Sequence, residues 1–288
     1  MKISILQCNA RRGGAITDAI LNLGAEAKAP IILIQEPWWS KELKVTKTLA
    51  GYQLILPPTS GRPRVATHIR RPWTAYIQHD HKSGDILETK LPDLRLTVFN
   101  IYRARNRAPN PTLGKILNII PPPRSLLAGD FNAIGSRWTS RPGQRPEDER
   151  FEEWTVEKGL ELCSTPDVPT HRNGHTLDLV WANFPGPETR VAYEMDPGSD
   201  HLPLITELDA NRHLGGHRVP RSPEDTEEYA EVVGAMVGQW APEAPRSIGD
   251  LDALAEGIIG TLQSALTEKP TSGIRPAPWW KGPIKEAH

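Results

Sequence analysis

Cysteine is nearly absent from this 288-residue chain: Cys8 and Cys163 are the only two. Two thiols cannot build a disulfide framework, and their scarcity points to a reducing compartment. Neither has metal-ligand spacing. Long apolar runs are missing as well. None approaches the roughly 20 residues that a membrane-spanning helix requires, so no membrane partner is expected. The opening residues, MKISILQCNARRG, lack the long apolar stretch and small-residue cleavage site of a signal peptide. They read instead as a first strand. No internal repeat is visible. What remains is a chain with 38% hydrophobic and 24% charged residues, sized for one large α/β domain plus an appendage, or for two domains.

The net charge of −1 hides an uneven distribution. Residues 60–145 hold 15 basic against 5 acidic residues, and the remainder holds 19 against 30. Such asymmetry suggests a basic surface for a polyanion, although an Arg-rich solvated surface produces the same count.

Several apolar strands end in polar residues. The run Leu126-Leu127-Ala128 stops at Gly129-Asp130-Phe131-Asn132. Gly129 permits a sharp turn, and Asp130 and Asn132, two apart, share a side if the segment stays extended. The competing reading is an ordinary Asx turn. Ile3–Leu6 runs into Asn9. Ile31–Ile34, apolar at every position and so buried on both faces, meets Glu36 and stops at Pro37. Leu94–Ile101 delivers Asn100 and Tyr102. Thr176–Trp181 contains Asp178, and Asp200-His201 precedes Leu202–Leu208. Further strands are expected at Tyr52–Leu56, Val65–Ile69, Trp73–Gln78 and Ile86–Lys90, with a hairpin turn at Lys82–Asp85. Helices are expected at Ala15–Lys28, Lys41–Ala50, Pro111–Ile120 and Glu147–Gly159. Beyond about residue 210 a polar, Gly- and Pro-rich linker leads to helical spacing at Tyr229–Trp240 and Ile248–Thr267, then to an end expected to be poorly ordered.

Strand ends at one edge of an α/β sheet are where sites assemble. Three kinds of group gather there: carboxylates, amides, and a phenol with an imidazole. They suit phosphoester hydrolysis with a divalent ion, which neutralises phosphate and helps the leaving oxygen. His79/His81 and His171/His175 have loosely ligand-like spacings. No Cys or carboxylate accompanies them, so no zinc site is expected.

The pieces QCN at 7–9, IQE at 34–36, NIY at 100–102, GDFN at 129–132, TLD at 176–178 and SDH at 199–201 resemble, in order and spacing, the endonuclease/exonuclease/phosphatase superfamily. The resemblance covers residues 1–208. It implies a four-layer sandwich of two mixed β-sheets flanked by helices, with residues 209–288 a linker and helical extension. It implies Mg²⁺, with Mn²⁺ an alternative, held by Glu36 with Asn9 and Asp200. Asp130 would activate water, and Asn132 would position the water or the phosphate. His201 would bind phosphate with its ring held by Asp178, and Tyr102 would contact the scissile group.

IQEPWW, GDFNAIGSRW, DVPTHRNGHTLDLVWAN and SDHLPL are similar to the endonuclease domain of fungal and arthropod non-LTR retrotransposons, and PWWKGPIKEA to the segment preceding their reverse transcriptase. That likeness implies DNA as partner, a longer parent protein and a nuclear site of action. Family members often carry His-His-Pro where this chain has Ile134-Gly135-Ser136, a departure in a loop that the resemblance associates with positioning DNA or supporting the site. Arg103, Arg105, Arg107, Arg137, Arg141 and Arg145 are candidate DNA contacts. Trp39 and Trp138 either stack on an exposed base or wedge a groove, or else pack in the core. Two alternatives stay open: a phosphodiesterase or phosphatase for RNA or a small phosphoester, and an inactive DNA-binding relic.

Overall fold

A computed structural model describes residues 2–105 and 111–209, which belong to one compact unit, Met1–His213. The expected 209–288 extension lies outside these residues except for Asp209, and so does Arg107.

Two six-stranded sheets pack face to face. The first runs in the spatial order β11 (Glu188–Val191), β12 (Leu204–Asp209), β1 (Lys2–Asn9), β2 (Ile31–Gln35), β4 (Val65–Arg70), β3 (Tyr52–Ile55). The second runs β5 (Tyr76–Ile77), β6 (Ile86–Leu91), β7 (Leu96–Tyr102), β8 (Ser125–Asp130), β10 (Asp178–Ala182), β9 (Glu161–Leu162). Each sheet is mixed. The β1–β2 and β7–β8 pairs are parallel, and the remaining strand pairs are antiparallel.

Three apolar clusters account for the layering. Ile5, Ile31, Leu33, Val65, Val98, Leu126, Ala128 and Val180 fill the space between the sheets. Leu6, Ile32, Ile34, Ile20 and Leu21 seat α1 (Gly14–Glu26) on the outside of the first sheet. Phe99, Leu127, Leu179 and Trp181 seat α2 (Pro111–Leu117) and α3 (Pro146–Glu157) on the outside of the second. Alternate residues of β2 and β8 therefore serve different layers, which is why both strands read as unbroken apolar runs. The four-layer sandwich expected from the sequence is present.

Between the sheets, Gln35 Nε2 donates to Asn100 Oδ1 at 2.7 Å, and Asn100 Nδ2 donates to the Ala66 carbonyl at 2.9 Å. This polar bridge ties β2 to β7 one residue before Glu36 and two before Tyr102, and leaves Gln35 Oε1 buried without a partner.

Local expectations fail in four places. Lys41–Ala50 holds no helix; a single bridge between Ser40 and Val45 closes a turn there. The connection from β5 to β6 is wider than a tight hairpin at Lys82–Asp85, because Ile77 already pairs with Thr89. The short strands β9 and β11 were not expected. Gly129 lies within β8 rather than at a turn: a Cβ there would sit 1.9 Å from the Ile101 carbonyl oxygen. Glycine is needed for the close approach of two parallel strands.

Candidate active site

The loops and strand ends after β1, β2, β7 and β8 meet the start of β10 and the segment before β12. Register fixes the centre. In the antiparallel β8–β10 pair, Asp130 stands directly opposite Asp178. Both are almost fully buried. His201 bridges them: its Nδ1 lies 2.8 Å from Asp178 Oδ2, and its Nε2 lies 3.8 Å from Asp130 Oδ2.

Burial pulls the His201 imidazole toward neutrality, but the charge of Asp178, its hydrogen bond, and the charges of Asp130 and Asp200 outweigh it. The result is a pKa raised to about 10, so the ring is an imidazolium at neutral pH. The Asp130 pKa is also raised, first by burial and then by the facing Asp178, against the pull of His201 and the hydrogen bonds from Asn9 and the Asn132 N–H. Burial and the facing charge both oppose ionisation of Asp130.

The remaining partners hold this centre. Asn9 Nδ2 donates to Asp130 Oδ2 at 2.9 Å, and Asn9 Oδ1 accepts the Arg11 N–H at 2.8 Å. Asn9 thus orients Asp130. The Ser199 hydroxyl donates to the Asn9 carbonyl at 2.7 Å, tying the segment before β12 to the end of β1. Tyr102 is buried beneath the Arg64 guanidinium, 4.1 Å from the ring centre. Burial and the charges of Glu36 and Asp130 raise its hydroxyl to about 12, so it stays protonated. Asn132 does not extend β8. It adopts φ 45°, its N–H donates to Asp130 Oδ1 at 3.1 Å, and its amide donates to the Arg103 carbonyl at 2.9 Å. The Asx-turn reading is the one realised, and the expected same-side pairing with Asp130 fails because the chain turns.

Glu36 follows Gln35, which pairs with Asn9. Its Oε1 accepts from Arg12 Nε and Nη2 at 3.0 and 2.8 Å and lies 3.6 Å from Arg64 Nη2. Asp200 lies 3.4 Å from Arg11 Nε. Glu36, Asp130 and Asp200 are oxygen donors of the type a hard divalent cation takes. A further buried oxygen, Asp178 Oδ1, has no partner. The chemistry of the donors therefore fits Mg²⁺ or Mn²⁺.

Sequence reasoning missed the loop that buttresses the centre. Thr170 Oγ1 donates to Asp178 Oδ2 at 2.8 Å and accepts the N–H groups of Leu177 and Asp178. His171 packs edge-on against His201, 4.8 Å between ring centres, through a backbone bridge between the two residues. His171, Asp200 and His201 bring ligand atoms within 4.8 Å of one another. The His171 Nδ1, however, accepts the Asn173 N–H at 3.1 Å. This puts the ring proton on Nε2 toward Asp200, 3.7 Å away, which suits hydrogen bonding rather than metal ligation. Arg11, Arg12 and Arg64 were also not singled out. Pairing with Glu36 and Asp200 depends on tertiary contact, and only the position of Arg11 and Arg12 just after the QCN strand end hinted at it.

Several proposed DNA contacts are internal. Trp138 is fully buried against Phe151 and Trp181, and its indole N–H donates to the Ala133 carbonyl at 3.2 Å. It is a core residue and cannot wedge a groove. Gly135 admits its ring, and Ser136 hydrogen-bonds Glu152. The altered 134–136 loop is thus a packed corner. Arg103 is also fully buried, paired with Asp148 at 2.6 Å and Glu147 at 3.3 Å. Arg145 joins the same Asp148 at 2.9 Å, and Arg137 lies over Trp181 while donating to Thr155. Arg105 and Arg141 are exposed, and Arg141 lies against Gly174 in the His171 loop. Trp39 is half-buried.

A carboxylate partner for His79 and His81 does exist: nearly buried Glu88 lies 3.1 Å from His79 Nδ1 and 2.9 Å from His81 Nε2. Each ring takes a different oxygen. Among the described residues, no group of three ligand atoms within 4.8 Å includes them.

Residues 96–205 match a family model described as endonuclease-reverse transcriptase. No curated protein sequence matches the chain. Solved structures are similar throughout the described region. The endonuclease domain of TRAS1, a telomere-specific non-LTR retrotransposon, shares 19% identity at TM-score 0.63, covering 73% of this chain and 99% of that one. The AP endonuclease LMAP from Leishmania major shares 15% at TM-score 0.56, covering 72% and 87%. The 3'-5' exonuclease NExo from Neisseria meningitidis shares 16% at TM-score 0.56, covering 72% and 100%.

Proposed function

We propose that the chain is a divalent-cation-dependent DNA endonuclease of the endonuclease/exonuclease/phosphatase superfamily, a reading supported by the family match over residues 96–205 and the shared fold. The observation that carries this reading is the buried Asp130–His201–Asp178 centre, with Glu36 and Asp130 both charged neighbours of Tyr102. In this reading residues 1–208 form the nuclease, and the remainder links it to a reverse transcriptase in a longer parent protein.

Glu36, with Asp200, would hold Mg²⁺, which when bound neutralises the phosphate and eases departure of the leaving oxygen. Asp130, held by Asn9, takes the proton of the attacking water. His201 donates from Nε2 to a non-bridging phosphate oxygen and stabilises charge growing there. Asp178 fixes the imidazolium and is itself fixed by Thr170. Tyr102, protonated across the working range, donates to the leaving oxygen. Attack on phosphorus with loss of the 3′ oxygen leaves 3′-hydroxyl and 5′-phosphate ends. DNA is favoured over a small phosphoester by the exposed arginines around the site.

Nicking of supercoiled plasmid in Mg²⁺, abolished by EDTA, is the expected result. Asp130→Asn and His201→Ala should each lower the rate by about 10²–10⁴-fold. Failure of the wild-type protein to nick, or rates unmoved by both substitutions, overturns the proposal. The alkaline limb of the pH–rate profile should follow loss of the His201 proton at about 10. Asp178→Asn removes the charge that raises it, so this limb should move to lower pH.

A further inference from the structure

Two consecutive arginines cap the two exposed-edge carboxylates of the site. Arg11 and Arg12 both take left-handed backbone conformations, φ 48° and 64°. Arg11 pairs with Asp200 at 3.4 Å and Arg12 with Glu36 at 2.8 Å. The Arg12 N–H also donates to the Glu36 carbonyl at 2.7 Å, so the backbone is anchored while the guanidinium reaches over the carboxylate. Arg64 approaches the same Glu36 oxygen from the other side, but it is stacked on Tyr102 and less exposed. Arg12, with 57% of its side chain exposed, is the arm free to leave.

We propose that Arg12 is shared between Glu36 and a DNA backbone phosphate: it covers the carboxylate until a divalent cation takes it, and then binds the phosphate. This inference rests on the reading of Glu36 as a cation ligand. Coulomb repulsion drives the exchange. Two guanidiniums and a divalent ion cannot all neutralise one carboxylate oxygen, and the most exposed cation loses least by moving to water or to an incoming phosphate. A strained left-handed pair of non-glycine residues is held in place for this purpose at the site mouth. The consequence is reciprocal: cation and DNA each favour binding of the other, through one side chain.

The test needs no turnover. Mg²⁺ affinity is read from the melting temperature of the full chain titrated with Mg²⁺ without DNA. Duplex affinity is read by fluorescence anisotropy in saturating Mg²⁺, in an Asp130→Asn background that does not cut. Arg12→Gln should bind Mg²⁺ roughly two- to fivefold more tightly, the effect of removing an exposed ion pair, and bind duplex more weakly. Arg12→Lys, which keeps the charge without the fork, should fall between on both axes. Equal or weaker Mg²⁺ binding by Arg12→Gln overturns the proposal, since a purely structural pair gives that result. Unchanged duplex affinity overturns it too. Absence of any Mg²⁺-dependent rise in the wild-type melting temperature sinks the cation-dependent nuclease reading itself, a result separate from the variant comparison.

Discussion

His68 shows how one buried group sets a pH limit on the fold. Its Nε2 lies 3.2 Å from the Lys47 carbonyl, and its Nδ1 is buried without a partner. Burial lowers its pKa to about 4, the backbone acceptor only partly opposing this. The unfolded chain binds a proton there near 6.5 and the fold does not. Stability from this residue is therefore complete above about 6.5 and falls as pH drops toward 4. His68→Gln keeps an N–H for the Lys47 carbonyl and cannot titrate. It should flatten the wild-type loss by about 3 kcal/mol between those pH values, measured by urea denaturation. An unchanged slope assigns the loss to other groups. Trp138 makes the opposite point about residue-level reading. Trp138→Ala should cost about 3–5 kcal/mol, because the indole sits among Phe151, Trp154 and Trp181. A wedge residue at a surface would leave the melting curve unmoved.

At the scale of elements, the strand ends were legible and their supports were not. An apolar run that stops at a polar residue is a local signal, so β1, β2, β7, β8, β10 and β12 were each found with their terminal Asn9, Glu36, Tyr102, Asp130, Asp178 and His201. The two-residue β9 and the polar β11, Glu-Thr-Arg-Val, carry no such signal. Arg103 and Arg145 looked like surface cations because their common partner, Asp148, is 45 and 3 residues away and its burial depends on α3 docking. Gly129 belongs here too. Any Cβ at that position meets the Ile101 carbonyl of the neighbouring strand, backbone that cannot yield. Gly129→Ala should separate β7 from β8, lower stability by about 3 kcal/mol or more, and reduce nicking more than the fold loss alone, because Asp130 is the next residue. Chemical denaturation beside rate measurement checks both parts. A variant of wild-type stability excludes the close-approach explanation.

For the whole molecule, the sequence charge count overstates the surface available to a polyanion. Within the basic 60–145 segment, Arg103 is inside the protein, and Arg137 and Arg145 are largely committed to protein partners. Exposed cations around the site reduce to a few, among them Arg11, Arg12, Arg105 and Arg141. Each phosphate neutralised contributes about −0.9 to the slope of log affinity against log salt. Three or four contacts from one site mouth give a slope of about −3, much shallower than the whole basic segment would predict. Arg141→Gln should lower that slope by about 1 and weaken all duplex sequences equally. Arg137→Gln should leave the slope unchanged while reducing stability, since its guanidinium lies over Trp181 and donates to Thr155. Anisotropy titrations at several salt concentrations separate the two. Equal slope changes from both variants would mean that DNA contacts extend to the α3 side of the molecule, beyond the strand-end cluster.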